Sequence, residues 1–481
     1  MAEPVIVPRA QHPISRRDID ADALKVLYRL QESGYAAYLV GGSVRDLLLS
    51  RRPKDFDIGT SAHPYQIKKL FRNCWIIGRR FRLAHVRFGT KAIEVATFRK
   101  NIPAGSESEP SESASAREQS GELRRDGPGG RVDGGSNPDL QIKHDNTFGT
   151  PEEDAFRRDF TINALFYDIA TFSIIDYVGG LHDLKDGLIR CIGDPNDRFQ
   201  EDPVRMMRAI VMASRLGFRL DEPVVKAIAR HRSLIATSSP ARLIEEYYKI
   251  LRSGAAEQTF RALAEHRLLE PVTPEIQRGA KNQALWDGLA ALDLYRRGFE
   301  SAPPSLTNPV LLGTLLIPLG LMPRKDERHF DDDEAEVEEE AVPVEDPALP
   351  SSRSRFRRAP KDPILKIGSL PIARGDTERL RQLLSLQGRI GDLEMSPRAK
   401  RTLMHRGPFE SALTWFEIHG RAPAVLEHWK GFIEALGPDA LKPSNEPGAP
   451  IDGERRPAAG GGRRRRRGRG RGRGSKRPPE T

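Results

Sequence analysis

Three long segments that are poor in large apolar side chains interrupt this 481-residue chain, and they limit its possible folds more than any other feature. They span residues 102–144, 323–360 and 441–481. Such segments cannot bury enough apolar surface to offset the entropy lost on ordering, so we expect the first and the last to be disordered and residues 323–360 to form a linker or surface loop. The folded part must then be built from the stretches between them.

The last of these segments carries most of the net positive charge. The whole chain has a net charge of +10, and residues 452–481 contain twelve Lys or Arg against three acids, which leaves +1 for the rest. A run of arginines followed by Arg-Gly repeats attracts phosphates without sequence specificity. A solvated tail with no partner is the alternative. The residues that we predict to contact RNA in this tail are Arg463, Arg464, Arg465, Arg466 and Arg467.

The composition argues against a membrane or secreted protein. No apolar run reaches the roughly 18 residues that span a bilayer, and the N-terminus lacks the apolar core of a signal peptide. The two cysteines, Cys74 and Cys191, cannot form a disulfide framework or a four-cysteine zinc site. We therefore expect a cytoplasmic protein with no membrane partner.

The apolar periodicity predicts an α+β fold. After an N-terminal extension (1–19), strands and helices alternate over residues 20–195 and predict a mixed-sheet head domain that contains the 102–144 insertion. Helical periodicity follows over 196–322 and returns over 361–440, and the family resemblance given below would make these a helical neck and RNA-binding domain and a helical C-terminal body. Residues 323–360 form a linker, acidic and then basic, and 441–481 form the basic tail.

Two aspartates in the predicted head have the spacing of a metal site. Residues 54–58 are predicted to form a strand, in which Asp55 and Asp57 would point to the same face and repel each other. A Mg²⁺ ion between them would relieve that repulsion and keep open positions for substrate phosphates. Ordinary exposed acids on a strand are the alternative.

A glycine turn precedes these aspartates. A predicted strand at 36–40 leads into Gly41 and Gly42 and then into a helix for which Ser43 is the expected N-cap. Backbone N–H groups at such a helix start attract phosphate, and Arg45 in the first turn could reach a triphosphate. An ordinary strand-to-helix turn is the alternative, because neither the P-loop spacing nor G-x-G-x-x-G is present.

Further acids and arginines could complete a phosphate site. Glu94 interrupts an apolar strand, which is costly unless the acid is paired, bound to metal or facing solvent at a sheet edge. Arg157 and Arg158 could neutralise a polyphosphate while Asp159 orients one of them. Ion pairs at a helix surface are the alternative for these three residues.

A third charged group lies at the start of a predicted helix near Pro203. Asp202, Arg205 and Arg208 would share one side of this helix and could read a base edge, although surface salt bridges have the same spacing. Taken in order, the motifs supply a phosphate cradle, metal carboxylates, charge neutralisation and base contacts. In-line nucleotidyl transfer requires this set.

The motifs together resemble the class II nucleotidyltransferase superfamily, which holds the tRNA CCA-adding enzymes and the bacterial poly(A) polymerases. The resemblance runs from about Gln11 to Gly254 and rests on residues 39–46, 55–57, 157–159 and 201–205. Residues 77–86, which include Arg79, Arg80 and Arg82, resemble the poly(A) polymerase branch and would contact RNA.

The resemblance implies a template-independent polynucleotide adenylyltransferase that adds AMP from ATP to RNA 3′ ends and releases pyrophosphate. It implies a two-metal Mg²⁺ site, with ATP as substrate, RNA-decay proteins as partners and a monomeric state. Asp55 and Asp57 would hold Mg²⁺, and either Glu94 or Asp159 would complete the acidic set. The other residues implied to frame the nucleotide are Gly41, Gly42, Arg45, Arg157, Arg158, Asp202, Arg205 and Arg208. A CCA-adding enzyme and a catalytically inactive RNA-binding protein are the alternatives.

Overall fold

The computed structural model describes residues 3–78, 82–100, 148–321 and 366–437. The predicted insertion at 102–144, the linker at 323–360 and the tail at 441–481 lie outside these ranges. The same holds for several predicted RNA-binding residues: Arg79, Arg80, Arg463, Arg464, Arg465, Arg466 and Arg467.

One mixed sheet of eight strands forms the first part of the fold. Its strands are β1 (Val5–Val7), β2 (Ala37–Val40), β3 (Asp57–Thr60), β4 (Cys74–Ile77), β5 (Leu83–Phe88), β6 (Lys91–Thr97), β7 (Leu165–Asp168) and β8 (Ser173–Asp176). Their order is β1-β8-β7-β2-β3-β6-β5-β4, in which β3 and β6 are parallel and the other neighbours are antiparallel. The sheet and the helices described below confirm the predicted α+β class.

Helices cover one face of this sheet. They are α1 (Ala21–Glu32), α2 (Gly42–Leu48), α3 (Pro64–Leu70) and α5 (Gly180–Asp186), whereas α4 (Pro151–Phe156) packs through Ala155 with Val40 and Phe166 of the other face. Apolar residues recur along α1 at helical spacing, and the Asp20 side chain caps its first turn by accepting two backbone N–H groups. Alternate strand residues such as Ile58, Val86 and Val95 are buried with α1 and α3, which leaves the intervening residues on the other face.

Helices dominate the remainder of the described chain. They are α6 (Pro195–Glu201), α7 (Val204–Leu216), α8 (Glu222–His231), α9 (Pro240–Leu251), α10 (Ala256–Glu265), α11 (Pro274–Gly279), α12 (Gln283–Arg297), α13 (Asn308–Leu316), α14 (Arg374–Ser385), α15 (Gln387–Gly391), α16 (Pro397–Met404), α17 (Phe409–His419) and α18 (Pro423–Leu436). Two small strand pairs join them, β9 (Leu188–Ile189) with β10 (Arg219–Leu220), and β11 (Lys366–Ile367) with β12 (Leu370–Pro371). Within the described ranges, no helix is both long and apolar enough to cross a bilayer.

Some predicted element bounds were wrong. The strand predicted at 54–58 begins only at Asp57, because its partner β2 ends at Val40, which pairs with Asp57. The sequence pattern predicts one strand over residues 75–88, but they form two antiparallel strands, β4 and β5, and Gly78 after β4 adopts a positive φ of 93°. The pattern also predicts a helix over residues 154–163, but α4 ends at Phe156. Within the predicted N-terminal extension, β1 pairs with β8 at the edge of the sheet.

Candidate active site

Two carboxylates from neighbouring parallel strands lie side by side on the open face of the sheet. Ile58 of β3 pairs with Val95 of β6, so Asp57 and Glu94, each one residue earlier, share a face and a position along the strands. Asp55 lies in the loop just before β3 and close to Lys54, with Nζ and Oδ2 3.8 Å apart. The structure thus brings together three of the predicted acids.

Desolvation and the neighbouring acids together raise the pKa of Asp57. Asp57 keeps solvent-accessible surface, yet the surrounding protein removes part of its hydration. This desolvation, together with repulsion from Glu94 and then Asp55, raises the pKa of Asp57 to about 6, while Arg158 acts in the opposite direction. The site therefore favours a cation at neutral pH.

The donor set suits a divalent cation of the Mg²⁺ type. All three acids offer hard carboxylate oxygens, and a cation between them would relieve the repulsion at Asp57. In the part of the chain that the structure describes, no three Asp, Glu, His or Cys side chains form a metal cage. Mg²⁺ usually takes one or two carboxylates together with water and substrate phosphates, so an open set of acids fits it.

The glycine turn faces the arginines that follow α4. Gly41 is the N-cap of α2 and has φ 71°, a conformation that L-residues rarely adopt. A Cβ atom on Gly41 would come within 3.0 Å of Nη1 of Arg158, so a larger residue would displace that guanidinium. The prediction that Ser43 is the N-cap was wrong, because α2 begins at Gly42 and the Ser43 hydroxyl donates to the Val40 carbonyl at 3.0 Å.

The Arg45 guanidinium is occupied within the protein. Arg45 is buried, and its Nη1 donates to Oδ1 of Asn163 at 2.6 Å while its Nε donates to Oδ1 of Asp46 at 2.8 Å. These bonds join α2 to the turn before β7. Arg45 was predicted to contact a triphosphate. This geometry does not support that prediction, because the guanidinium group is already bonded to Asn163 and Asp46.

An acid that the sequence analysis missed holds both consecutive arginines. Asp154 on α4 is 2% exposed and accepts from Nε of Arg157 at 2.9 Å and from Nη2 of Arg158 at 2.9 Å. Burial alone would raise the pKa of Asp154, but Arg158 and Arg157 outweigh it and lower the pKa. The spacing of three and four residues from Asp154 was a visible signal for this contact.

Asp159 has a different partner from the one predicted. Its Oδ2 accepts from Nη2 of Arg208, and its Oδ1 accepts from the backbone N–H of Phe160 and from Asn163. Asp159 was predicted to orient Arg157 or Arg158. In the structure it is bound to Arg208 instead. The reason is that α4 ends at Phe156, which turns residue 159 away from the arginine pair and towards α7.

The charged group at the start of α7 does not act as one set. Asp202 contacts Nη2 of Arg242 on α9 at 3.0 Å, Arg205 donates to Glu201 at 2.8 Å, and Arg208 is bound to Asp159. These three residues were predicted to read a base edge together, but each of them contacts a different partner. Arg242 carried no local signal, because it lies 40 residues further along the chain.

A buried arginine that was not among the predicted site residues binds the backbone of the two consecutive arginines. Arg198 on α6 donates through Nη2 to the backbone carbonyls of Arg157 and Arg158, each at 2.7 Å, and through Nη1 to Glu201 at 2.9 Å. Of the arginines predicted at 77–86, the structure describes Arg82, whose guanidinium lies 5.8 Å from the centroid of the Tyr65 ring.

Comparison with known proteins agrees with this architecture. Residues 37–190 match the family model of the Poly A polymerase head domain. Residues 217–279 match the model described as the probable RNA and SrmB-binding site of polymerase A.

The similar curated proteins belong to two groups. Poly(A) polymerase I of Salmonella typhi is 51% identical over 273 residues, which cover 57% of this chain and 54% of that protein. Poly(A) polymerase I of Haemophilus influenzae is 42% identical over 272 residues, 56% of this chain and 55% of that protein. The CCA-adding enzyme of Lactobacillus helveticus is 37% identical over 255 residues, 53% of this chain and 56% of that protein. The chain thus spans about half the length of the curated relatives it matches.

Solved structures share the fold. The Bacillus stearothermophilus CCA-adding enzyme in complex with CTP has a TM-score of 0.50 and 23% identity, covering 86% of this chain and 82% of that chain. Together with the mixed sheet and the ordered motifs, these findings show that residues 37–190 belong to the family of the Poly A polymerase head domain and that the chain shares the fold of a CCA-adding enzyme.

Proposed function

We propose that this chain is a template-independent polynucleotide adenylyltransferase, which transfers AMP from ATP to the 3′ end of RNA and releases pyrophosphate. The observation that carries the proposal is the juxtaposition of Asp57 and Glu94 with Asp55 on the open face of the head. Carboxylates that repel one another favour a bound cation. Placed beside a glycine turn, they suit the transfer of a nucleotide from its triphosphate.

In the proposed reaction, the RNA 3′ oxygen forms a bond to the α-phosphorus of ATP. The bond from that phosphorus to the oxygen bridging to the β-phosphate breaks, pyrophosphate leaves, and the hydroxyl proton passes to solvent. Asp55, Asp57 and, as the third acid, Glu94 would hold Mg²⁺. When bound, such ions lower the pKa of the attacking hydroxyl and neutralise charge on the leaving group.

The chain contributes positioning around this centre. Gly41 and Gly42 would let the backbone approach phosphates closely, and a Cβ atom at Gly41 would press on the Arg158 guanidinium at 3.0 Å. Arg157 and Arg158 are held in place by Asp154, so their charge is pre-oriented and costs little reorganisation during the reaction. The remaining nitrogens of Arg157 would meet the triphosphate, whereas Arg158 also donates through Nη1 to the Asn163 carbonyl at 3.1 Å and would act through its fixed positive charge.

ATP and a general RNA primer are the proposed substrates for two reasons. The identity to Poly(A) polymerase I of Salmonella typhi, 51%, is higher than the 37% to the CCA-adding enzyme of Lactobacillus helveticus. Residues 217–279 also match a model of a probable RNA-binding site. A cytoplasmic location and RNA-decay partners follow only from this proposed role.

The test offers purified protein two primers, an oligo(A) and a tRNA that ends in C-C, with each nucleoside triphosphate separately. We expect AMP incorporation from ATP on both primers, with release of pyrophosphate and loss of product when Mg²⁺ is chelated. Efficient use of CTP, or strict dependence on the tRNA, would instead indicate a CCA-adding enzyme. If neither primer is extended by any nucleotide, the chain is an RNA-binding protein without this activity.

A further inference from the structure

A row of side chains crosses the open face of the sheet from the acids to its edge. Asp57 lies beside Glu94, Glu94 is paired with His85 on β5, and His85 is paired with Trp75 on β4. Residues that pair directly across strands point to the same face. Three strand spacings separate the first residue of the row from the last, which corresponds to about 14 Å.

The edge of the sheet presents a large apolar surface at the end of this row. Trp75 and Ile77 are each 51% exposed, although β4 is otherwise packed on the core through Cys74. The three other tryptophans of the chain are buried, namely Trp286, Trp415 and Trp429. An exposed tryptophan with a neighbouring apolar side chain marks an interaction surface more often than a packing accident.

A cation accompanies the exposed indole. The guanidinium carbon of Arg87 lies 5.6 Å from the centroid of the Trp75 ring. Among the described residues, no carboxylate forms a salt bridge with Arg87, so its charge is available to an anionic partner. A planar guanidinium beside an indole can stack on a base and also bind a phosphate. This combination favours nucleic acid over an apolar protein segment.

We propose that Trp75 and Arg87 form a stacking platform for a base of the RNA primer, a few nucleotides upstream of its 3′ end. The inference rests on the proposed function, because the row that leads to the platform begins at the acids that would act on that end. Stacking on an aromatic ring accepts any base, which suits a primer without a defined sequence. His85 lies between the platform and Glu94, 3.7 Å from its carboxylate, and would line the path of the strand.

The first test follows tryptophan emission without catalysis. Because Trp75 is the exposed member of the four tryptophans, single-stranded oligo(A) added without ATP or metal should quench and shift the emission. Trp75→Phe, which keeps an aromatic ring, should remove this response while retaining RNA binding. An emission spectrum that oligo(A) leaves unchanged in the unsubstituted protein would contradict the platform.

The second test separates primer binding from chemistry. With a long oligo(A) primer, Trp75→Ala should raise the KM for RNA about tenfold and leave the KM for ATP and kcat unchanged, whereas Trp75→Phe should remain close to the unsubstituted protein. With a dinucleotide primer, too short to reach β4, Trp75→Ala should have no effect. Phe299→Ala, at a residue that is 44% exposed beyond α12, is the control for loss of an exposed aromatic ring.

The outcomes distinguish the two proposals. If the unsubstituted protein extends no primer, the proposed function fails, and the emission measurement still decides whether the platform binds single-stranded RNA. If extension is normal but Trp75→Ala alters neither the KM for RNA nor the oligo(A) response, the platform is wrong. The exposed edge would then serve a protein partner.

Discussion

Nη2 of Arg208 on α7 donates to Oδ2 of Asp159, and this ion pair joins the segment after α4 to the first long helix beyond the head. Burial alone would raise the pKa of Asp159, but Arg208, Asn163 and the Phe160 backbone outweigh it and lower the pKa. Both carboxylate oxygens of Asp159 therefore already accept hydrogen bonds within the protein. Glu94, in contrast, lies beside Asp57, which favours Glu94 as the third acid of the proposed metal site.

The two candidate acids should respond differently to substitution. Asp159→Asn leaves the partly exposed Arg208 without its partner, so we expect the free energy of unfolding to fall by about 2 kcal/mol with little change in metal affinity. Glu94→Gln removes a repelling charge beside Asp57, so we expect unchanged stability and weaker binding of Mn²⁺ or Mg²⁺. Urea unfolding and calorimetric metal titration measure the two effects. The reverse pattern would assign Asp159 to the metal.

Asp57 should be required for activity but not for folding. Asp57→Asn keeps the shape of the side chain and removes the charge at the centre of the acidic set, so AMP incorporation should fall on the order of a thousandfold or more. Because the substitution also relieves repulsion from Glu94 and Asp55, the unfolding midpoint should stay the same or rise slightly. Asp197→Asn, at an exposed residue of α6, is the control. Substantial activity of a folded Asp57→Asn protein would contradict the proposed site.

The glycine turn offers a test of the contact with Arg158. Gly41→Ala introduces a Cβ that would meet Nη1 of Arg158 at 3.0 Å, on a backbone with φ 71°, so we expect both lower stability and a higher KM for ATP. Gly34→Ala also places a side chain at positive φ, 82°, but has open space around it. Gly41→Ala, at φ 71° and ψ −131°, should lose about 1–3 kcal/mol and Gly34→Ala about 1 kcal/mol, and only Gly41→Ala should change the KM for ATP. Equal kinetic effects would disprove a role of the Arg158 contact.

Local features of this fold could be predicted from the sequence. The apolar periodicity and the Asp20 cap define α1, and Gly41 marks the turn after β2 because only glycine accepts its positive φ. Residues 75–88 were predicted as one strand, because a strand pattern does not reveal that Gly78 lies between two paired strands.

The partners within the site could not be predicted in the same way. Periodicity does not determine which strands pair, so the parallel register that places Glu94 beside Asp57 had no signal in the sequence. Asp159 and Arg208 are 49 residues apart, and their contact depends on how α7 packs against the head. The contact of Asp154 with Arg157, three residues further along, was local enough to be recognised beforehand.

A half-buried histidine in the helical part should make stability depend on pH. His419 at the end of α17 contacts the Thr314 hydroxyl at 3.1 Å and lies against the Trp415 ring. Burial, followed by repulsion from Arg421, lowers the pKa of His419 from 6.5 to about 4. His419 therefore binds a proton near pH 6.5 in the unfolded chain but only near pH 4 in the folded protein.

The sign of the effect follows from this difference. The contribution of His419 to stability is fully present above about pH 6.5 and is lost progressively as the pH falls towards 4. The free energy of unfolding relative to His419→Gln should thus fall by about 2 kcal/mol between roughly pH 7 and pH 4.5, which urea unfolding at both pH values measures. His405→Gln, at an exposed residue after α16, should show no such change, and a pH-independent difference for His419→Gln would contradict the burial of a neutral imidazole at this position.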